Sequence, residues 1–209
     1  MTQVLLAIDT SAGTAVAVLV DGIVASESYD ANSMQHAEQI GIQILQVLEA
    51  AKKKSSDVTM VAVGIGPGPF TGLRVGIAAA KMFAEGVSVP IYGVGSLDAI
   101  AFANPIDQPT LILTDARRSE VFFGLYQGKT AAGVPKALLG PGVRKQAELE
   151  AQLQVAGHNY LLANTQVSAA NLGLLALAQM AEGTANTSVV ANYLRAPDAV
   201  PAKGKKVRG

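Results

Sequence analysis

The sequence predicts an α/β protein built from two related lobes, because strand-like segments followed by helix-like segments occur twice along its 209 residues. Half of the residues are hydrophobic, which supplies enough apolar surface for a core between packed layers. The first three apolar runs are rich in β-branched residues, and Asp21-Gly22 separates the second run from the third, as is typical of a hairpin. We therefore expect the chain to open as an antiparallel meander of three strands.

The rest of the first lobe is expected to alternate between helices and strands. From residue 34 to residue 54 apolar residues recur at helical spacing, while Ile42 and Leu45 lie off that stripe, so this helix is predicted to be covered on two sides. Gly86 is expected to end the next helix, since glycine is common at helix C-termini. Strands are predicted at residues 4–8, 15–20, 23–29, 58–65 and 90–94, and helices at residues 34–54, 71–86 and 96–103.

The segment 104–109 is the predicted boundary between the lobes, because its two prolines and polar neighbours favour neither a helix nor a strand. The predicted units are a first lobe at residues 1–105, a smaller second lobe at 106–197 and a basic tail at 198–209 that has little apolar surface to bury. In the second lobe, strands are expected at 110–114, 120–126 and 160–163 and helices at 146–155 and 168–182, with a stretch interrupted by glycine and proline up to residue 143.

Composition excludes several classes of function. The 16 Lys and Arg residues balance the 16 Asp and Glu residues, so no net charge draws the chain onto nucleic acid or an anionic membrane. The chain has no cysteine, which excludes disulfides, a thiol nucleophile and a zinc-thiolate site. No run approaches the roughly 20 apolar residues of a transmembrane helix, and the apolar N-terminal run lacks the basic lead-in of a secretion signal. We expect a cytoplasmic protein without membrane contact.

The segment GIGPGPFTGLRVGIAAAKMFAEG, residues 64–86, joins a glycine-rich loop to a helix, as many phosphate-binding loops do. A Walker loop requires lysine after its last glycine, but Leu73 follows Gly72. The dinucleotide fingerprint Gly-x-Gly-x-x-Gly also fails in this segment. Pro67 and Pro69 remove two backbone donors that an anion would need. The loop is therefore a weak candidate for phosphate binding.

The helix in this segment carries a stripe of small residues. Gly72, Gly76 and Ala80 stand four residues apart, which allows another backbone to approach closely. Two glycines inside a helix cost roughly 1 kcal/mol each relative to alanine, so a packing requirement should compensate for them. Two interpretations are open: the stripe is ordinary core against its own sheet, or it contacts another chain.

Several short motifs follow one another along nearly the whole chain. They are AIDTS at residues 7–11, GPG-FTG-R-G in the loop and helix just described, GVGSL at 93–97, DAR with EVF at 115–122, and YLR at 193–195. In this order they resemble the TsaB family. Two features depart from the family pattern: Pro69 stands where serine is usual, and the first long helix lacks the proline that often follows its histidine.

The resemblance implies a two-lobed actin-like, sugar-kinase-like (ASKHA) fold with a reduced second lobe. It implies a non-catalytic dimerisation subunit of the complex that installs threonylcarbamoyl on the adenosine next to the anticodon of transfer RNA. The implied partners are the catalytic paralogue TsaD, the ATPase subunit TsaE and a second copy of the chain, with transfer RNA contacted only within the complex. ATP and a metal ion are implied for the complex, and no cofactor is assigned to this chain.

The resemblance also implies that two helices, around residues 36–51 and 71–85, form the face that pairs with TsaD or with a second copy. The residues expected on that face are His36, Ile40, Ile44, Val47, Leu48, Gly72, Arg74, Gly76 and Ala80.

The histidines give little support for catalysis by this chain alone. The catalytic paralogue carries a His-x-x-x-His pair, which places two imidazoles one turn apart on a helix where they bind a metal. Here Ile40 follows His36 at that spacing, and His158 lies far away in a predicted loop. We therefore expect neither a metal site nor a catalytic residue.

The turn Asp9-Thr10-Ser11 has two open interpretations. In this fold class, an aspartate at a strand end followed by small hydroxyl residues turns toward nucleotide phosphates, and its carboxylate orders a metal-bound water. The other elements that hold a nucleotide are not recognisable here. A degenerate turn whose hydroxyls cap backbone amides is therefore favoured over a working ATP site.

Charged residues also cluster at Asp115, Arg117, Arg118 and Glu120. We interpret them as a strand-end ion pair that bridges to the first lobe rather than as catalytic groups. Two alternatives to the scaffold role stay open. One is a self-sufficient ASKHA enzyme, either an ATP-dependent kinase or a hydrolase, and the weaker one is a homodimer with an independent regulatory role.

Overall fold

A computed structural model of the chain describes residues 2–31, 36–157, 159–163 and 166–195, with only the backbone described at residues 36 and 37. The first of two β-sheets consists of β1 (Val4–Asp9), β2 (Thr14–Val20), β3 (Ile23–Asp30), β4 (Met60–Gly64) and β5 (Ile91–Val94). Its strand order is β3-β2-β1-β4-β5. The first three strands form the predicted antiparallel meander, and β4 and β5 continue the sheet in parallel with β1.

The second sheet has four strands and begins near the predicted lobe boundary. They are β6 (Thr110–Asp115), β7 (Glu120–Lys129), β8 (Pro135–Lys145) and β9 (Leu161–Leu162), in the order β8-β7-β6-β9. The sequence did not predict β8, because glycine and proline interrupt it. It forms at the edge of the sheet, where proline is tolerated, and register shifts against β7 accommodate the interruptions.

Five α-helices and a short 3-10 helix (Ser55–Asp57) accompany the sheets in the described part of the chain. The α-helices are α1 (His36–Ala50), α2 (Phe70–Val87), α3 (Ser96–Ala103), α4 (Gln146–Val155) and α5 (Ala169–Glu182). The prediction that Gly86 ends α2 was wrong. The helix continues to Val87, and Ser88 ends it in the left-handed conformation, with its backbone N–H donating to carbonyls of the last turn.

Helices cover both faces of the first sheet, because its central strands are apolar on both sides. All six residues of β1 are buried. Leu6 and Ile8 face α1 and α2, while Leu5 and Ala7 face α3 and α5. This arrangement confirms the predicted α/β class.

The chain returns to the first sheet after the second one is complete. The backbone of Gly173 in α5 lies so close to the first sheet that a Cβ atom there would be 2.7 Å from the Leu19 side chain. Further on, Asn186 pairs with Gly93 at the end of β5, and the backbone N–H of Asn192 donates to the carbonyl of Ile65. The predicted second lobe at 106–197 included these residues, but their apolar contacts place α5 on the first sheet.

Candidate functional site

The predicted interface residues of α1 and α2 face the sheet of their own chain. Seven of them are buried in the monomer: Ile40, Ile44, Val47, Leu48, Gly72, Gly76 and Ala80. The apolar stripes that the sequence displays are therefore the stripes that the sheet covers, which corrects the prediction that these residues present a surface to a partner. The side chain of His36 lies outside the described residues, as does His158.

The small-residue stripe of α2 lies against the turn that follows β1. A Cβ atom at residue 76 would lie 2.1 Å from Oγ1 of Thr10, so glycine is required for this approach. The same Thr10 hydroxyl donates a hydrogen bond of 2.7 Å to the carbonyl of Gly72. Of the two open interpretations of the stripe, this geometry favours close packing within the chain.

A different set of residues forms the outer surface of the two helices. The side chains of Ile42 and Leu45 on α1 are 49% and 65% exposed, and that of Met82 on α2 is 77% exposed. Ala78 on α2 is also exposed. Since α1 and α2 pack against each other on one face of the sheet, we call Ile42, Leu45, Ala78 and Met82 the outer helical face. Ile42 and Leu45 are the residues that the sequence placed off the apolar stripe.

Arg74 is exposed, but aromatic residues fix its side chain at the start of α2. Its guanidinium carbon lies 3.9 Å from the centre of the Phe70 ring, and its Nε donates a 3.1 Å hydrogen bond to Oη of Tyr193. The two rings themselves are 4.8 Å apart. The cation–π contact orients Arg74 within α2, while the hydrogen bond and the ring contact to Tyr193 join the C-terminal segment to the first turn of this helix.

The predicted turn Asp9-Thr10-Ser11 is buried and its side chains are hydrogen bonded within the protein. Oδ1 of Asp9 accepts hydrogen bonds from the backbone N–H and from Oγ of Ser11, at 2.7 Å and 2.6 Å. Oδ2 accepts a 2.7 Å bond from Oγ of Ser96. The carboxylate therefore caps the amide, whereas the hydroxyls act as donors, which reverses the roles that the sequence predicted for them.

The turn is also enclosed by glycines. A Cβ atom at Gly64 would lie 1.9 Å from Oδ2 of Asp9, and one at Gly68 would lie 2.8 Å from Cβ of Ser11. The glycines of the loop thus bring its backbone onto the Asp9 turn.

The charged cluster at the β6–β7 turn forms an ion pair with the C-terminal segment. Oε2 of Glu120 lies 3.5 Å from Nε of Arg195, and Arg195 also donates to the carbonyl of Ala116. Oδ1 of Asp115 accepts a 2.8 Å bond from the backbone N–H of Arg117. The turn is thereby joined to the segment that follows α5.

Sequence reasoning missed a polar cavity of about 180 Å³ between the first sheet, β8 and the C-terminal segment. Its lining includes Pro67, Asp98, Pro141, Gln179, Asn186 and Asn192. Burial raises the pKa of the Asp98 carboxyl, and a hydrogen bond from Tyr126 opposes part of that rise. The same surroundings raise the pKa of Tyr126. No local motif marks these residues, because the cavity joins segments that are far apart in the sequence.

Two further kinds of feature are absent from the described residues. No described helix combines the length and apolarity needed to cross a membrane. Within the same residues, no group of three or more His, Cys, Asp or Glu side chains is placed to hold a metal ion.

The two sheets with their covering helices define a protein of the ASKHA type. YeaZ from Pseudomonas aeruginosa has the same fold, with a TM-score of 0.75 at 24% identity over 92% of this chain and 100% of that one. The family model described as TsaD: tRNA N6-adenosine threonylcarbamoyltransferase matches residues 22–176. The chain belongs to this family, and within it is a TsaB-like, or YeaZ-like, protein.

Relatives of two kinds support this placement. An uncharacterized protein of Mycobacterium tuberculosis is 38% identical over 207 residues, which cover 94% of this chain and 93% of the relative. The tRNA threonylcarbamoyladenosine biosynthesis protein TsaB of Bacillus subtilis is 35% identical over 128 residues, 60% of this chain and 56% of that protein. The protein of the same name in Escherichia coli is 32% identical over 127 residues, 59% and 54% of the two chains.

Proposed function

We propose that this chain is a non-catalytic subunit in tRNA threonylcarbamoyladenosine biosynthesis and that its outer helical face pairs with a TsaD-type catalytic subunit. The relatives named TsaB support the pathway. The observation that carries the pairing is the apolar outer helical face, which lies on the two helices that the family resemblance pointed to and contains residues other than those first expected.

The exposed side chains of this face are large enough to drive association. Ile42, Leu45 and Met82 are each about half exposed or more. Burying an exposed side chain of this size completely contributes about 1.5–3 kcal/mol to the free energy of association. Because these side chains are largely exposed in the monomer, a partner that covers them would release a large part of that free energy. Grouped exposed apolar residues are typical of protein–protein contact sites. Arg74 lies in the first half of α2, where the Phe70 ring holds its guanidinium group and makes it available as a cation for a partner.

The Asp9 turn supports the non-catalytic part of the proposal. Its carboxylate accepts three hydrogen bonds from Ser11 and Ser96, and the Thr10 hydroxyl donates to α2. A turn that binds nucleotide phosphates would present these groups to the ligand. Here they join β1 to α2 and α3, so we assign the turn a structural role.

The test is gel filtration with light scattering of the chain mixed with the TsaD-type subunit of the same organism. We expect a heterodimer with the wild-type chain, and no heterodimer with Leu45→Glu or Met82→Glu. Val155→Glu is the matched control, because Val155 is 90% exposed on α4, away from the outer helical face. Loss of pairing in the control as well, or unchanged pairing in both face variants, would exclude this surface.

The same samples separate the proposal from a self-sufficient enzyme. We expect threonylcarbamoyl transfer to tRNA only when both subunits are present, with its loss in the variants that do not pair. ATP turnover by the isolated chain that Asp9→Ala abolishes would instead support a kinase or hydrolase. A tight dimer of the chain that excludes the TsaD-type subunit would support the regulatory homodimer.

A further inference from the structure

The cavity between the two sheets is built from parts of the chain that meet only in the folded protein. Pro67 follows β4, Asp98 lies in the first turn of α3, and Pro141 interrupts β8. Gln179 on α5 and Asn192 in the C-terminal segment close the other side. The volume of about 180 Å³ corresponds to about six water molecules. A compact organic ligand therefore fits.

Asp98 lines this space, and one of its two carboxylate oxygens has no donor among the described residues. Oδ1 accepts a 2.7 Å hydrogen bond from Oη of Tyr126, whereas no described residue donates to Oδ2. Oδ2 lies against Gly95, which also lines the cavity, and a Cβ atom at Gly95 would be 2.1 Å away from it. Because Gly95 has no side chain, it does not cover Oδ2 of Asp98.

Side-chain amides provide the remaining polar groups. Gln179 and Asn192 form hydrogen bonds through their backbones, but their side-chain amides make none to any described residue. Oδ1 of Asn186 accepts a 2.8 Å bond from the backbone N–H of Ser188. Amides with unused oxygens beside a carboxylate offer several acceptors around one small volume.

The charge of the lining selects among ligands. Among the described residues, no Lys, Arg or His lines the cavity, so the Asp98 carboxylate has no cation of the protein facing it there. A buried carboxylate without such a partner is costly, and a bound cation would compensate for it. An ammonium group has only donors, so it can pair with Oδ2 of Asp98 and with the side-chain amide oxygens of Gln179 and Asn192.

From this geometry we infer a binding site for a small primary ammonium compound, with the ammonium on Oδ2 of Asp98 and on the amide oxygens of Gln179 and Asn192. The alkyl part of the ligand lies between the rings of Pro67 and Pro141. The site is separate from the outer helical face and from the proposed role in tRNA modification. Because it joins both sheets to the C-terminal segment, a bound ligand would stabilise their arrangement.

The test is a nuclear magnetic resonance titration of the full-length ¹⁵N-labelled chain with n-butylammonium chloride at constant ionic strength. We expect saturable shifts of the backbone amides of Gly93 and Gly95 and of the side-chain amides of Gln179 and Asn192. 1-Butanol is the neutral probe of the same size and should give no saturable shift. Shifts that grow linearly with n-butylammonium, or an equal response to 1-butanol, would overturn the proposal.

Three variants make the test specific. Asp98→Asn keeps an acceptor for Tyr126 but removes the charge, and should weaken binding by roughly tenfold or more. Asn192→Ala removes one amide and should weaken binding severalfold. Gln179→Glu adds a carboxylate of the same size and should tighten binding, which keeps the proposal testable if Asp98→Asn folds poorly. Unchanged affinity in all three variants would exclude the cavity as the binding site.

Discussion

Two carboxylates, Asp9 at the end of β1 and Asp98 in the first turn of α3, have similar backbone neighbours but differ in how completely their oxygens are hydrogen bonded. Each lies against a glycine, with Oδ2 of Asp9 at 1.9 Å from a Cβ position on Gly64 and Oδ2 of Asp98 at 2.1 Å from one on Gly95. Asp9 is fully buried and both of its oxygens accept hydrogen bonds from neighbouring serines. In the described part of the chain, Asp98 has one donor, Tyr126 on Oδ1, and its side chain lines a cavity.

The difference shows that an aspartate can be fully hydrogen bonded within the protein in one place and only partly so in another. The hydrogen bonds to Asp9 replace the water it loses on burial, so its charge stabilises the junction of β1 with α3. The desolvation of Asp98 is only partly compensated, which is why burial raises the pKa of its carboxyl. A carboxylate with a structural role can thus be recognised because both of its oxygens accept hydrogen bonds from the protein.

The largest expected effect comes from filling the space beside Asp9. Gly64→Ala places a methyl group on Oδ2 of a carboxylate that hydrogen bonds hold in position, so we expect a loss of about 3 kcal/mol in the free energy of unfolding. Urea denaturation measures it. The control is Gly86→Ala on the exposed side of α2, where a Cβ meets nothing within 4 Å and stability should rise by up to about 1 kcal/mol. Equal stability of the two variants would contradict the close approach of Gly64 to Asp9.

A smaller loss is expected from neutralising Asp9 itself. Asp9→Asn keeps the shape of the side chain but turns one oxygen into a donor that faces a serine hydroxyl, so stability should fall by about 2 kcal/mol. Urea denaturation again measures it, and Asp107→Asn, at an exposed carboxylate, is the matched control. A variant as stable as the wild type would mean that the Asp9 hydrogen bonds contribute little.

The corresponding glycine beside Asp98 should tolerate a side chain better. We expect Gly95→Ala to lose about 1 kcal/mol, because the Asp98 carboxyl has open space to move into, whereas Asp9 has none. The informative quantity is the difference in unfolding free energy between Gly95→Ala and Gly64→Ala. If Gly95→Ala is the more destabilising of the two, the contrast between a closed and an open carboxylate fails.

The smallest effect concerns the ionisation of Asp98. A folded-state pKa raised above the unfolded value means that the folded protein binds the proton more tightly, so ionisation of Asp98 opposes folding above that pKa. Asp98→Asn should therefore be slightly more stable than the wild type near pH 8, and this advantage should shrink as the pH falls through the raised pKa toward the ordinary range of aspartate. Thermal unfolding at several pH values checks the trend, with Asp107→Asn as control. An advantage that grows as the pH falls would have the wrong sign.

Local signals in the sequence predicted most of the elements. Asp21-Gly22 marks the hairpin of the first meander, which the strand pairing confirms. The bounds of α3 and α4 agree with the prediction because their apolar periods and flanking residues are local properties. β8 was missed, since its glycines and Pro141 break the pattern and only pairing with β7 makes it a strand.

The candidate site was predictable only in part. The sequence marked α1 and α2 as a pair of helices with more apolar surface than one sheet covers, and Ile42 and Leu45 as residues off the main stripe. It did not distinguish the stripe that the sheet buries from the face that stays outside. No pattern in the sequence predicted the cavity at Asp98, because Asp98 and Asn192 come together only in the folded chain.

By itself, the sequence determined the α/β class, the order of most elements, the family resemblance and the small-residue stripe of α2. Those properties depend on residue types at short spacing along the chain, so they do not require contacts between distant segments. The tertiary structure alone decided that Gly76 allows the close approach of Thr10, that α5 returns to the first sheet and that Asp98 lines a cavity. Each of these depends on which surfaces are buried against each other, and burial is a property of the packed chain rather than of any segment of it.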